Sequence, residues 1–252
     1  MLHLPWPDLA AIGFAVALGY TLFGFGGFGA NIVALPLLAH WLPLRFAVPM
    51  MLVLDLAAAS FLGLKNRQLI EGRELLRLVP WLLVGMWIGA TVLVRADERW
   101  LLALLGGFVL AVAAWSLWSG AMAAGDAPIS PHWAIPTGVV GGVFSALFGS
   151  GGPLYTLYLA RRVHDPARLR ASVATLIFGA AATRGVLFLF NGLLQQPGLL
   201  AGSLALLPCA ALGYFVGSRL HARLPAHRVR QGVWLLLIAA GASLLWRSLR
   251  AA

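Results

Sequence analysis

Two long uncharged runs, each interrupted near its middle by closely spaced glycines, limit the fold of this chain more than any other feature. The first, Leu9 to Ala39, holds 31 residues and contains Phe23-Gly24-Phe25-Gly26-Gly27-Phe28; the second, Trp133 to Ala160, contains Phe148-Gly149-Ser150-Gly151-Gly152-Pro153. One upright membrane helix needs roughly 20 residues and two need roughly 40, so the first run fits neither count. Each run therefore reads as two half-length helices joined by a glycine turn, as a re-entrant hairpin or a broken spanning helix. Such backbone is tolerated at membrane depth only where it lines a protein-enclosed cavity.

Composition places these runs in a membrane. The 252 residues are 61% hydrophobic and 10% charged, with a mean hydropathy of +0.88, far too apolar for a soluble domain. Charged residues gather in short connections between apolar runs, which means helices and not a barrel. Three ordinary spans follow the first break, Phe46 to Leu64, Leu78 to Val94 and Trp100 to Trp118; three follow the second, Ala171 to Phe190, Leu199 to Ser218 and Gln231 to Trp246. The expected fold is all-α and polytopic, with repeats at 1–118 and 133–252 and a Gly- and Pro-containing linker at 119–132. The amino terminus lacks the basic start and cleavage site of a signal peptide, so the first segment is expected to stay.

The halves also match in letters. At an offset of 125, Leu22-Phe23-Gly24 pairs with Leu147-Phe148-Gly149, Gly26-Gly27 with Gly151-Gly152, Leu44-Arg45 with Leu169-Arg170, and Asn66 with Asn191. At 128, Pro80 pairs with Pro208, Gly85 with Gly213, Gly89 with Gly217, and Trp118 with Trp246. If each broken run returns to its starting side, 12 basic residues collect on one face, in loops 65–77, 161–170 and 219–230, against 5 on the other (Arg45, Arg95, Arg99, Arg247, Arg250). The richer face is then cytoplasmic. A single crossing per broken run gives 11 to 6, so charge prefers the hairpin only slightly. Three crossings per half would invert one repeat against the other, a transporter architecture. The net charge of +10 belongs to these loops, and no nucleic-acid partner is read from it.

Each break presents a helix start to the membrane interior. Free N–H groups and the positive end of the helix dipole suit an anion there. Candidate substrate contacts are Gly24, Gly26, Gly27 and Asn31 in the first break, and Gly149, Ser150, Gly151, Gly152, Tyr155 and Thr156 in the second. Gly85-xxx-Gly89 and Gly213-xxx-Gly217 read as helix packing instead. Tyr158 reads as a packing or interface residue, and Asn66 and Asn191 as caps or turn formers. Two ionisable residues lie inside spans, where they are costly. Arg184, with five donors, suits a sulfur or carboxyl oxyanion. Asp55 carries a coupling proton or pairs with Arg184; the 125 offset sets them one helical turn out of register, so their contact is not implied.

No catalytic or metal site is read. Cys209 is alone, the histidines lie near span ends or loops, and neither HExxH nor a phosphate-binding loop occurs, so neither an enzyme nor a cofactor is expected.

With Gly24-Phe-Gly26-Gly27 and Gly149-Ser-Gly151-Gly152 each followed by a basic or proline-containing turn and a span ending near Asn66 or Asn191, the chain resembles the TauE/SafE sulfite exporter family, membrane transporters of the 4-toluene sulfonate uptake permease type. The likeness runs from Leu9 to about Arg247; Phe28 and Pro153 stand where family members commonly carry a third glycine. It implies a duplicated helical fold and movement of sulfite or other sulfur-containing organic anions across the bacterial inner membrane, as proton-coupled export. The expected function is therefore secondary transport of a small oxyanion, with an anion-selective channel or passive pore as the alternative. Its expected partners are that anion and membrane lipid, and a homodimer is compatible with both.

Overall fold

A computed structural model describes residues 5–26, 29–62, 69–119, 129–221 and 226–250. Ten helices account for nearly all of them, and no strand occurs among the described residues: α1 (Trp6–Gly26), α2 (Ala30–Leu38), α3 (Leu44–Leu62), α4 (Gly72–Arg95), α5 (Glu98–Ser119), α6 (Ala134–Phe148), α7 (Gly152–Ala160), α8 (Pro166–Phe190), α9 (Leu199–His221) and α10 (Ala226–Arg250). Stretches of α1, α4, α8 and α9 are long and apolar enough to cross a membrane. Large apolar side chains such as Trp87, Val186, Phe190, Leu204, Leu212 and Phe215 face outward, as lipid requires and water would penalise. The chain is an all-helical, polytopic membrane protein.

The first run departs from the half-length expectation. α1 continues through Gly24 to Gly26, and its Trp6–Gly24 portion is long enough to span alone. Gly24 does not break it because the missing side chain is used in packing: a β-carbon there would collide with the Tyr214 carbonyl of α9. Beyond it, Gly29 takes a left-handed φ of 98° before α2. In the second run the interruption falls where expected, between α6 and α7.

The chain forms two compact units, each drawn from both sequence halves. One comprises Met1–Leu54, Ala96–Ala121 and Leu193–Ala252; the other comprises Asp55–Arg95 and Met122–Gly192. In the first unit α1 packs on α9, α2 on α1 and α10, and α5 on α10. In the second α4 packs on α6, and α8 packs against α4, α6 and α7. The principal contact in each is a glycine seam. β-Carbons at Gly213 and Gly217 would strike the Ala17 and Thr21 carbonyls, while those at Gly85 and Gly89 would strike the Val139 and Val143 carbonyls. Small residues thus bring two backbones together, the packing that stabilises helix pairs when lipid removes the hydrophobic drive.

These boundaries change the repeat register. α1 and α6 end at Gly26 and Phe148, α2 and α7 cover Ala30–Leu38 and Gly152–Ala160, and α3 and α8 begin at Leu44 and Pro166, all 122 residues apart. The helices α5 and α10 begin 128 apart. The seams agree: Ala17 and Val139 are 122 apart, and their partners Gly213 and Gly85 are 128 apart. The 125 offset for the breaks is therefore three residues too long. Gly27-Phe28-Gly29-Ala30 corresponds to Gly149-Ser150-Gly151-Gly152.

Candidate functional site

The α6–α7 break is built by its residues in turn. Gly149 takes φ 64° and ψ 19°, the left-handed conformation that ends a helix and that an L side chain disfavours; its N–H donates to the Ser145 carbonyl at 2.8 Å. Ser150 is buried and turns its hydroxyl back on the Phe148 carbonyl, 3.0 Å. Pro153, in the first turn of α7, has no N–H to leave unsatisfied. Among the described residues the N–H groups of Gly151 and Gly152 donate to no carbonyl, so α7 starts with open donors. Thr156 is less available, because its hydroxyl donates to the Gly152 carbonyl at 2.9 Å.

Arg184 of α8 reaches this break. Its residue surface is 2% exposed. Nη1 donates to the Ser145 carbonyl at 3.1 Å, at the negative end of α6, and Nη2 donates to Asp55 Oδ2 at 3.0 Å. Nε is buried without a hydrogen-bond partner. Tyr155 of α7 is also fully buried; it faces Ser145 and Arg184, yet its hydroxyl lies outside hydrogen-bonding geometry. Gly151 makes room for it, since a β-carbon there would stand 2.5 Å from the Tyr155 oxygen and 2.6 Å from the Gly141 carbonyl. Each unsatisfied buried donor costs about 1–3 kcal/mol. Arg184 Nε and the Tyr155 hydroxyl are two such donors in the unit that also carries the open N–H groups at the start of α7.

Asp55, Ser150, Tyr155 and Arg184 thus belong to one unit, and Asp55 and Arg184 are in contact despite the expected mismatch of register. The first-break residues lie in the other unit. Asn31 is buried in the first turn of α2, Gly26 ends α1, and Gly24 packs on α9 as described above. Gly27 lies outside the described residues.

A second polar cluster was not legible in the sequence. Glu74, 7% exposed in the first turn of α4, accepts from Tyr158 at 2.8 Å, Arg162 at 2.8 Å and Arg77 at 2.8 Å. This ties the far end of α7 to the start of α4. The hydrogen bond that Arg162 donates to the Glu74 carboxylate pushes its guanidinium above its already high ordinary pKa. Beside it is a cavity of about 540 Å³ lined by Glu71, Arg73, Glu74, Arg162, His164 and Arg168. In the sequence these arginines read only as loop charge. The available signal was the pair of acids Glu71 and Glu74 set among Arg73, Arg77 and an apolar run.

Fold and site together define a polytopic membrane protein with polar groups enclosed at a helix break. The family described as Sulfite exporter TauE/SafE matches residues 9–244, and the chain belongs to it. It is 31% identical over 201 residues to the probable inner membrane transporter protein TsaS of Comamonas testosteroni, covering 79% of this chain and 83% of that protein. No solved structure matches. The chain is accordingly a multi-pass membrane protein of a transporter family, and not an enzyme.

Proposed function

We propose that this protein is a secondary transporter that carries sulfite, or an acid derived from an organosulfonate, outward across the inner membrane with proton coupling. The observation that carries this reading is the buried Arg184 guanidinium, with Nε unpartnered beside the Tyr155 hydroxyl and the open N–H groups of Gly151 and Gly152. An anion with three oxygens suits such convergent donors. Gly149 and Ser150 shape this site, with Thr156 at its edge. Gly26, Gly27 and Asn31 are the proposed contacts of the first break, while Gly24 serves packing on α9. Asp55 is the proton carrier.

The proposed topology has two inverted repeats, 1–118 and 133–252 joined by 119–132, with loops 65–77, 161–170 and 219–230 in the cytoplasm. The matched seams of α1 on α9 and α6 on α4 support duplication; the excess of basic residues supports the orientation. The protein works in lipid as a monomer or homodimer, without a cofactor.

Thermal stabilisation of purified protein by sulfite, sulfate, thiosulfate, sulfoacetate and simple carboxylates tests the substrate class. Saturation at 100 times Kd adds about 2.7 kcal/mol. Stabilisation by sulfite or sulfoacetate above that by carboxylates is the expected result; no shift with any anion overturns the reading.

A further inference from the structure

The Arg184 guanidinium, being almost wholly buried, requires a counter-ion. The Asp55 carboxylate supplies one at 3.0 Å. A substrate oxyanion arriving at the same guanidinium puts a second negative charge close to Asp55. In an enclosed site such like charges repel far more strongly than in water, and one is relieved by taking a proton.

We propose that Asp55 and the substrate compete for Arg184, so that each anion bound brings one proton onto Asp55 and the two cross the membrane together. This rests on Arg184 being the anion-binding group. The proton comes from water: the carboxylate becomes a neutral carboxyl and the guanidinium passes from Asp55 to the anion. Asp55 can receive it, since its side chain keeps 21% of its surface accessible against 3% for Arg184.

The other groups toward the pair do not replace Asp55. Tyr155 faces Arg184 from α7, and Ser145 offers its carbonyl from α6. On α4, the charged groups Glu74 and Arg77 are engaged with each other and, for Glu74, with Tyr158 and Arg162, and no hydrogen bond joins them to the pair among the described residues. Arg184 is held by a carboxylate only through Asp55 among the hydrogen bonds of the described residues.

Linkage fixes the sign. If anion binding favours protonation of Asp55, protonation favours anion binding by the same factor. A monoanion and a proton moving together carry no net charge, so transport answers to the anion and pH gradients and not to membrane potential. Net export then requires an outward anion ratio larger than the inward proton ratio, about tenfold for one pH unit.

The test uses the full-length protein with sulfite and methanesulfonate as probes. Affinity is titrated from acid to mildly alkaline pH, and proton uptake is read with an indicator in weak buffer, for wild type and Asp55→Asn. Wild-type affinity is expected to weaken with rising pH, approaching tenfold per unit. Wild type takes up about one more proton per anion than Asp55→Asn, a difference that cancels the protonation of sulfite itself. The variant binds at the acid-limit affinity throughout. Equal proton uptake, or weaker binding by the variant at every pH, overturns the competition. Failure of both probes to bind wild type at any pH instead removes the anion site itself. A second readout needs no variant: in proteoliposomes a pH gradient drives methanesulfonate accumulation and an imposed potential does not, whereas accumulation driven by potential overturns electroneutral coupling.

Discussion

Replacing Asp55 by asparagine separates the two demands on Arg184. The variant keeps an acceptor oxygen beside Nη2 but removes the negative charge facing a guanidinium that is 2% exposed. Arginine cannot escape by losing its proton. Removing one partner of a buried ion pair costs about 3–5 kcal/mol, and the accessible fifth of Asp55 places this case near about 3. For a chain of this size that is roughly 6–12 °C in Tm. Substrate anion restores the missing charge, so its stabilising effect grows: a concentration worth about 2.7 kcal/mol at 100 times Kd gives about 4.1 if the variant binds tenfold more tightly. Thermal unfolding in detergent, with and without sulfite, measures both effects. A variant as stable as wild type without anion, and no better stabilised by sulfite, refutes the reasoning.

Three other substitutions probe the frame. Gly149→Ala forces a side chain into φ 64° and is expected to cost about 1–2 kcal/mol in thermal unfolding. Gly85→Leu drives a side chain into the Val139 carbonyl and should abolish a monodisperse product on size-exclusion chromatography, whereas Gly107→Ala, at an exposed site with open space, should not. Glu74→Gln removes the charge shared by Arg77 and Arg162; a loss of about 1–3 kcal/mol is expected, with faster hydrogen exchange in α7.

Hydropathy made the helices legible because lipid admits little else, and the paired glycines marked the second break to within a residue. The repeat register was less accessible. A slip of three residues in a helix turns the pattern by about 300°, close to one full turn, so apolar letters match almost as well at 125 as at 122. Sequence spacing carries no record of which helix faces meet, so the Asp55–Arg184 ion pair could not be read from it. Gly24 was ambiguous for the same reason: glycine permits both a break and a close approach, and only the Tyr214 carbonyl decides for packing. Glu74 was hidden because a loop arginine counted for topology looks the same whether solvated or paired.

The central claim is that Arg184 holds the anion through its planar fork. Isothermal titration of sulfite into wild type and Arg184→Lys tests it, since lysine keeps the charge but loses the convergent donors. The expected result is a loss of at least about tenfold in affinity, which corresponds to about 1.4 kcal/mol, in a variant that still folds. Equal affinity in the two proteins contradicts the account.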